Sequence, residues 1–463
     1  MPDRTSSMDR PLPEGVRDLL FADTAAFRRM EAALQATWSA WGYREIHLPT
    51  FEYADTLATD VGSQVDAELY RFFDRHGRTL ALRPDMTIPT ARVVGTRLYD
   101  QPMPLRLAYT GSVFRYEPPR AGRQHEFGQA GVELIGAPGT VADAEMVALA
   151  TAALQAVGLP EFGITLGHVG FFRGLLAGLA LPERLTARLQ EAVARKAEAE
   201  LVRLLAETPG LPPVARQAVL ALPRLTGSAA MLVDAEAVCL NATMMNALAD
   251  LRSVAALLDA YGVSRFVTYD LAEVRDLGYY TGITFEGFAP GLGFGLISGG
   301  RYDDLIGHFG PPCPAVGWAL TLDRLLLARE LQGIVEPEPR PDVLLAASPA
   351  SAEGRRKKED GRCGSRAGKM GAAEPGAGTG QNCQTCLGWA AVARGRGLKV
   401  EIDPLGLDPQ ALWHAAKARG IPRAAWYAGT EDRATITVRE ADGAEWRTIG
   451  ADDWEEMDRW QNR

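Results

Sequence analysis

The sequence predicts an α+β protein: an antiparallel sheet flanked by helices, interrupted by a helical insertion and followed by a small C-terminal α/β domain. Three observations carry this. Residues 111–136, GSVFRYEPPRAGRQHEFGQAGVELIG, read as two strands joined by a short loop. Residues 24–41 place Phe27, Met30, Leu34 and Trp38 at helical spacing. Residues 172–262 carry a further helical stripe, and short strands return from 264 to 300.

Composition sets the class. A chain of 463 residues, 47% hydrophobic, has ample core material and a soft prior of about three domains. No apolar run approaches the ~18 residues of a membrane span, and MPDRTSSMDRPLPEG has no apolar signal-peptide core. Five cysteines in this length make no disulfide framework, so a reducing cytoplasm is expected. With 49 basic against 58 acidic residues the net charge is −9. That is no electrostatic footprint for nucleic acid, although a local basic patch is compatible with it.

The first element expected is the helix over 24–41, with Thr24 as its N-cap and Gly42 as its stop. REIHLPTFEY then reads as one strand. TLALRPDMTIPTARVVGTRL, 79–98, reads as strand, polar turn and helix. Asp85 and Thr87 sit in that turn, either as helix caps or as groups presented to a ligand.

In the strand pair, alternation decides what faces what. His125, Phe127, Gln129, Gly131 and Glu133 share one face, and Gly128, Ala130, Val132 and Leu134 share the other. Arg115 and Glu117 share a face of the first strand. Gln129 and Glu133 thus point the same way, with a glycine between them leaving room. An Arg, a Gln and a Glu aimed at one cleft suit a small zwitterion or a phosphate. An exposed sheet with one wetted face would give the same pattern.

Over 172–262, Leu185, Leu189, Val193, Leu201 and Leu205 form an apolar stripe opposite Arg, Glu and Lys, with no chemistry in it. Cys239 reads as a small buried side chain. SRFVTYD, ITFEGF and FGLIS read as strands. The glycines at 291, 293 and 295 follow a strand but precede no helix, so they mark a hairpin turn, not a phosphate loop. Arg275 offers a fork for a carboxylate, and Tyr279–Tyr280 offer a flat face and hydroxyls for an imidazole. An aromatic pair in a core beside a solvated Arg is the plain alternative. No GxSxG, P-loop, HExxH or paired CxxC is present. The six histidines are scattered, so no metal site is expected.

Three blocks in order resemble a known family. FRYEPPRAGRQHEFGQAGVELIG resembles motif 2 of the class II histidyl-tRNA synthetases. VRDLGYYTGITFE, 274–286, resembles their histidine-binding signature, and GGRYDDLIGHFG with PAVGWALTLDRL resembles the run into motif 3. With LPEGVRDLL the resemblance covers roughly residues 11–335. Within that superfamily the chain is most similar to the paralogues that serve as regulatory subunits of ATP phosphoribosyltransferase.

The resemblance implies a class II synthetase-like domain over 1–335 and an anticodon-binding-like domain over 336–463. It implies that 24–55 correspond to motif 1 at a dimer interface. It implies a histidine pocket of Asp85, Thr87, Arg115, Gln129, Glu133, Arg275, Tyr279 and Tyr280, with Arg115 and Arg324 as residual ATP-site positions. It implies no cofactor. The implied partners are a short-form catalytic ATP phosphoribosyltransferase subunit, L-histidine as an effector and a second copy of the chain, with no role for a membrane or tRNA.

The departures from the synthetase pattern separate regulator from ligase. The family's RPEGT has an acid one methylene longer than Asp85 and a glycine where Met86 stands. Motif 2's ERPQ-x-GRYR is EPPRAGRQH here, so Pro118 and His125 replace arginines. GFALGLERL is GWALTLDRL, putting Thr321 where a glycine would let ATP approach. RGLDYY is RDLGYY, putting Gly278 where an Asp stood. Amino-acid activation brings two anions together and needs fixed positive charge. A kept histidine pocket beside an eroded ATP site implies a sensor or scaffold without ligase activity; the alternative is a histidine–tRNA ligase.

In the C-terminal part, PDVLLAAS reads as a strand, while GLKVEIDPLG and DPQALWHAAKARGIP weakly resemble an α/β anticodon-binding domain. Residues 351–386 contain no Leu, Ile, Val, Phe, Trp or Tyr and hold three of the five cysteines. Such a stretch buries too little apolar surface to fold. It is either a disordered insertion or a shifted reading frame over a helix; Cys383-x-x-Cys386 as a metal or redox pair is a third reading.

Overall fold

Ten-residue strands Leu105–Phe114 (β5) and Glu126–Ile135 (β6) form the longest ladder among the described residues, paired antiparallel from Leu105↔Ile135 to Phe114↔Glu126. The computed structural model describes residues 12–58, 67–116, 124–179, 181–208, 210–273, 279–347, 381–405, 407–430, 433–441, 443 and 445–460. These fall into two compact units, Met1–Pro337 and Glu338–Arg463.

The first unit is built on a nine-stranded sheet. Its strands are Arg44–Glu45 (β1), β5, β6, Gly163–His168 (β7), Thr226–Gly227 (β8), Val267–Asp270 (β9), Ile283–Phe288 (β10), Ile297–Arg301 (β11) and Ala315–Thr321 (β12), in the order β1-β5-β6-β12-β11-β10-β7-β9-β8. The run from β5 to β7 is antiparallel throughout; β1 and β9 join parallel to β5 and β7. Phe51–Tyr53 (β2), Arg71–Phe73 (β3) and Thr79–Leu82 (β4) make a separate three-stranded sheet, ordered β2-β4-β3.

Helices close one face of the large sheet. Helix Phe21–Ala40 buries Met30, Leu34 and Trp38 as their spacing predicts; the fourth buried position is Ala26, and Phe27 is only half-buried. It begins three residues earlier than expected. Thr24 lies inside its first turn and bonds back to the Leu19 carbonyl at 2.8 Å, so it is no N-cap. Gly42 ends the helix at φ +82°, where a side chain would be strained. Trp38 is 2% exposed in the chain's own core, and Trp41, half-buried, stacks on Tyr261. REIHLPTFEY is two strands, not one: β1 joins the large sheet and β2 the small one. Pro49 lacks the N–H a continuous ladder needs, and Leu48 is buried between them.

The inserted helices run from Val169 to Ala260. Leu185 and Leu189 share helix Glu183–Ala194 with Val193, whereas Leu201 and Leu205 lie on Glu198–Ala206. Asn241 caps the long helix Ala242–Ala260 by accepting from Met244 N at 3.1 Å. Cys239 is half-buried, and burial pushes its thiol pKa up, away from nucleophile chemistry.

The second unit is a five-stranded sheet of Val343–Ala347 (β13), Val400–Ile402 (β14), Arg423–Thr430 (β15), Arg433–Glu440 (β16) and Arg447–Gly450 (β17), ordered β14-β13-β15-β16-β17. Helix Gln381–Gly395 joins the parallel strands β13 and β14. It starts inside the stretch 351–386 that composition marks as unable to fold, and Cys386 is buried in the core of this unit. A buried thiol there packs as a small hydrophobe; Cys383's side chain and residues 348–380 lie outside the described part. Asp408 caps helix Pro409–Ala418 by accepting from Ala411 N at 2.9 Å.

Candidate functional site

Sheet register builds one face. Gln129, Gly131 and Glu133 of β6 stand opposite Thr321, Ala319 and Gly317 of β12. Ala319 stands opposite Ser298 of β11, and Ser298 opposite Glu286 of β10. Of these, Gln129, Thr321, Ala319, Gly317, Ser298 and Glu286 form the floor of a cleft of about 280 Å³. Asp85 and Thr87 wall it from the β4–helix turn, Arg115 from the end of β5, Tyr279 and Tyr280 from the segment before β10, and Arg324 from the helix after β12.

Six of the expected pocket residues thus line one cleft: Asp85, Thr87, Arg115, Gln129, Tyr279 and Tyr280. Arg324 lines it as well. Arg275 lies outside the described residues, as do Glu117, Pro118 and Gly278. Glu133 is brought next to the cleft but not into it. It is 0% exposed beneath the floor, where its carboxylate accepts from Tyr109 Oη at 2.9 Å and from Tyr302 Oη. The space that Gly131 leaves is taken by Tyr109 from the neighbouring strand, since a Cβ there would lie 2.6 Å from Tyr109 Oη. The glycine therefore admits a tyrosine, not a ligand. His125 also leaves the cleft: it precedes β6, and its Nδ1 lies 2.6 Å from Tyr70 Oη.

Each side chain is held. Gln129 Oε1 accepts from Met86 N at 2.9 Å, so what it has left for a ligand is its NH₂. Met86 is buried against Leu48, Tyr109 and Val113 and stays out of the lining. Asp85 accepts from Ile88 N at 3.1 Å, so it caps the following helix and faces the cleft at once. Burial pushes its pKa up, and the nearby Arg115 charge opposes this. Arg115 Nε donates to the Pro84 carbonyl at 2.8 Å, and Arg324 Nη1 to the Gly295 carbonyl at 2.9 Å. Tyr279 and Tyr280 pack with centroids 4.3 Å apart, and Tyr302 meets Tyr279 edge-on at 6.0 Å. Thr321 occupies the lining at the end of β12, the place where a glycine would leave space.

Among the described residues, the cleft gathers three carboxylates, Glu68, Asp85 and Glu286, against two guanidinium groups. That balance suits a small molecule carrying a cationic amine. It provides little fixed positive charge for a triphosphate. No group of three or more His, Cys, Asp or Glu could hold a metal ion among the described residues. Sequence reasoning missed Tyr109 and Tyr302. Tyr109 was reachable, because it pairs with Gly131 once β5 and β6 are in register.

The family model for histidyl-tRNA synthetase matches residues 15–325. An ATP phosphoribosyltransferase regulatory subunit from Symbiobacterium thermophilum is 42% identical over 413 residues, covering 89% of this chain and 95% of that one. The chain belongs to the ATP phosphoribosyltransferase regulatory subunit family, on the histidyl-tRNA synthetase fold. A second such subunit, from Moorella thermoacetica, is 46% identical over 70% of this chain and 83% of its own length. Among solved structures, an ATP phosphoribosyltransferase regulatory subunit/histidyl-tRNA synthetase from Bacillus halodurans aligns with a TM-score of 0.71 and 30% identity, covering 88% of this chain and 96% of that one.

Proposed function

We propose that this chain is the non-catalytic regulatory subunit of an ATP phosphoribosyltransferase, needed for the first step of L-histidine biosynthesis and for its feedback control. The observation that carries this is the 42% identity to the S. thermophilum regulatory subunit across 95% of that protein. The cleft supports this reading, because Thr321 lines it where the resemblance expects a glycine, and six of the residues expected for an amino acid line it too.

The finer reading is that free L-histidine is the ligand of the cleft. Asp85 and Gln129 would face its amine, and the tyrosines its imidazole. Glu133 would act from beneath, through Tyr302 and Thr87. The partner would be a short-form catalytic phosphoribosyltransferase chain. Self-association through residues 24–55 would rest on Phe51 and Tyr53, which are exposed, since Trp38 is used internally. Domains at 1–335 and 336–463 remain the working division.

The test is reconstitution. The catalytic chain alone should be nearly inactive, regain activity when this chain is added, and lose it when histidine is added. The purified chain alone should not exchange pyrophosphate into ATP with histidine. Exchange at a rate typical of enzymes, ~1–10³ s⁻¹, would overturn the regulatory reading in favour of a ligase.

A further inference from the structure

Arg83 is 4% exposed, and among the described residues its guanidinium meets no carboxylate. Arg301, buried to a similar degree, has Asp143 at 2.7 Å. Arg83 instead donates to main-chain carbonyls: Nε to Ser112 at 2.8 Å, and Nη1 to Leu48 at 2.6 Å and Pro49 at 3.1 Å. Its own backbone adds two bonds. Arg83 N donates to the Thr50 carbonyl at 3.0 Å, and the Arg83 carbonyl accepts from Phe114 N at 2.9 Å. One residue after β4 thus holds the stretch 48–50, which leads into β2 of the small sheet, and the end of β5 in the large one. Burial without a counter-charge pulls the Arg83 pKa down. An apolar side chain would fill the space without that penalty. What it could not do is bond three carbonyls on two segments.

The guanidinium fills the space beside a glycine: a Cβ at Gly111 would lie 2.6 Å from Arg83 Nη2 and 2.8 Å from Met86 Cε. Arg83 also stands between two walls of the cleft. The carbonyl of Pro84, the next residue, accepts from Arg115 Nε at 2.8 Å, and Asp85 and Thr87 follow. Phe114, held by the Arg83 carbonyl, precedes Arg115. Within the turn, Met86 N donates to Gln129 Oε1 and Ile88 N to the Asp85 carboxylate. Each of these amides is therefore held by a side chain that lines the cleft.

We infer that Arg83 is a positioning residue of the candidate site: through the Leu48, Pro49 and Ser112 carbonyls it fixes where the 84–88 turn meets β5, and so sets Asp85 and Thr87 against Arg115 and Gln129. It does not line the cleft and touches no ligand itself. The role rests on the cleft being the ligand site proposed for L-histidine. A ligand gripped from several walls binds only as well as those walls are held in place.

The experiment uses the full chain as wild type, Arg83→Gln, Arg83→Lys and Leu248→Ala. Gln places a nitrogen where Nε stands, keeping a donor for Ser112 and removing those for Leu48 and Pro49. Lys carries its nitrogen near the guanidinium carbon and does the reverse. Each variant keeps part of the anchor, so if one fails to fold the other decides. Leu248, 0% exposed in helix Ala242–Ala260 and outside the cleft lining, is the control for general loss of stability. Hydrogen exchange without ligand reads the amides of 85–88, and calorimetric titration with L-histidine reads affinity. The Arg83 variants should exchange this turn roughly tenfold faster than wild type or more, with a similar loss of affinity. Leu248→Ala should lower the melting temperature and leave both readouts near wild type. Wild-type exchange of the turn in every Arg83 variant that folds would overturn the positioning role. Equal loosening of the turn in Leu248→Ala would overturn it too, by making Arg83 one core residue among many. A turn loosened only in the Arg83 variants, beside a wild type that does not bind L-histidine, would uphold the hold on the turn and overturn histidine as the ligand of the cleft.

Discussion

Tyr302 donates its hydroxyl hydrogen to Glu133 beneath a cleft that Tyr302 lines and Glu133 does not. The other Glu133 oxygen accepts from Tyr109, and Thr87 also bonds to the carboxylate. Glu133 therefore reaches the cleft only through Tyr302 and Thr87. A buried acid held by hydroxyls, with no cation bonded to it among the described residues, is a group whose proton should matter.

Stability should depend on pH through this residue. Burial pushes the Glu133 pKa up to about 7, against the pull of its hydroxyl donors. An unfolded chain would release that proton near ~4.3. Between these values the folded state keeps a proton that the unfolded state has lost. The stabilisation is thus full below the unfolded pKa and is lost as pH rises to about 7. The loss is on the order of 3 kcal/mol. Glu133→Gln should remove this slope. Urea unfolding at pH 5 and pH 8 should show the variant gaining on wild type at the higher pH; a constant difference would disprove the assignment.

Gly317→Ala should be among the most damaging small substitutions in the chain. A Cβ at 317 would lie 1.6 Å from Glu133 Oε2 and 2.6 Å from the Val132 carbonyl. Overpacking in a tight core costs ~1–3 kcal/mol and occasionally more, and here the clash meets backbone as well as a pinned carboxylate. Gly293→Ala is the control, because nothing lies within 4 Å of its Cβ. It should stay within about 0.5 kcal/mol of wild type. Equal midpoints for the two variants would refute the crowding beneath the floor.

Much of this arrangement was legible in the sequence. Alternation placed Gln129 and Glu133 on one face of β6, and spacing found Met30, Leu34 and Trp38 in the buried stripe of helix Phe21–Ala40. What failed was long-range. Tyr109 fills the gap at Gly131 only because β5 pairs with β6 in one register, and no local window contains that. Thr24 has the chemistry of a cap, yet the helix starts at Phe21. The buried pair Arg301–Asp143, at 2.7 Å, joins residues far apart in sequence, with no signal in either neighbourhood. Composition marked 351–386 as unable to fold, but the helix from Gln381 draws on Trp389, Ala390 and Ala393 beyond that stretch for its packing.

If L-histidine occupies the cleft, it should raise the melting temperature. At 100 times Kd the linkage gives ~2.7 kcal/mol. Asp85→Asn should weaken binding, because the amine would lose its charge partner, while the cap to Ile88 N survives through the amide oxygen. Calorimetric titration should show an affinity loss of tenfold or more. No melting shift at millimolar histidine in the wild type would mean that feedback uses another site.

The association surface gives the last test. Phe51 and Tyr53 are 52% and 44% exposed on β2, and Phe72 of β3 packs edge-on against Phe51 at 5.8 Å. Aromatic residues bared on one sheet suit an interface core. The isolated chain should scatter light as roughly twice its 50.0 kDa mass. Phe51→Asp should leave the fold intact and weaken the dimer by ~2 kcal/mol or more, about thirtyfold. Trp38→Ala should behave differently. Its indole is buried in the chain's own core, so removal should cost ~3–5 kcal/mol of stability before association is affected. A well-folded Trp38→Ala monomer beside an unaffected Phe51→Asp dimer would reverse this assignment and put the helix, not the strand, at the contact.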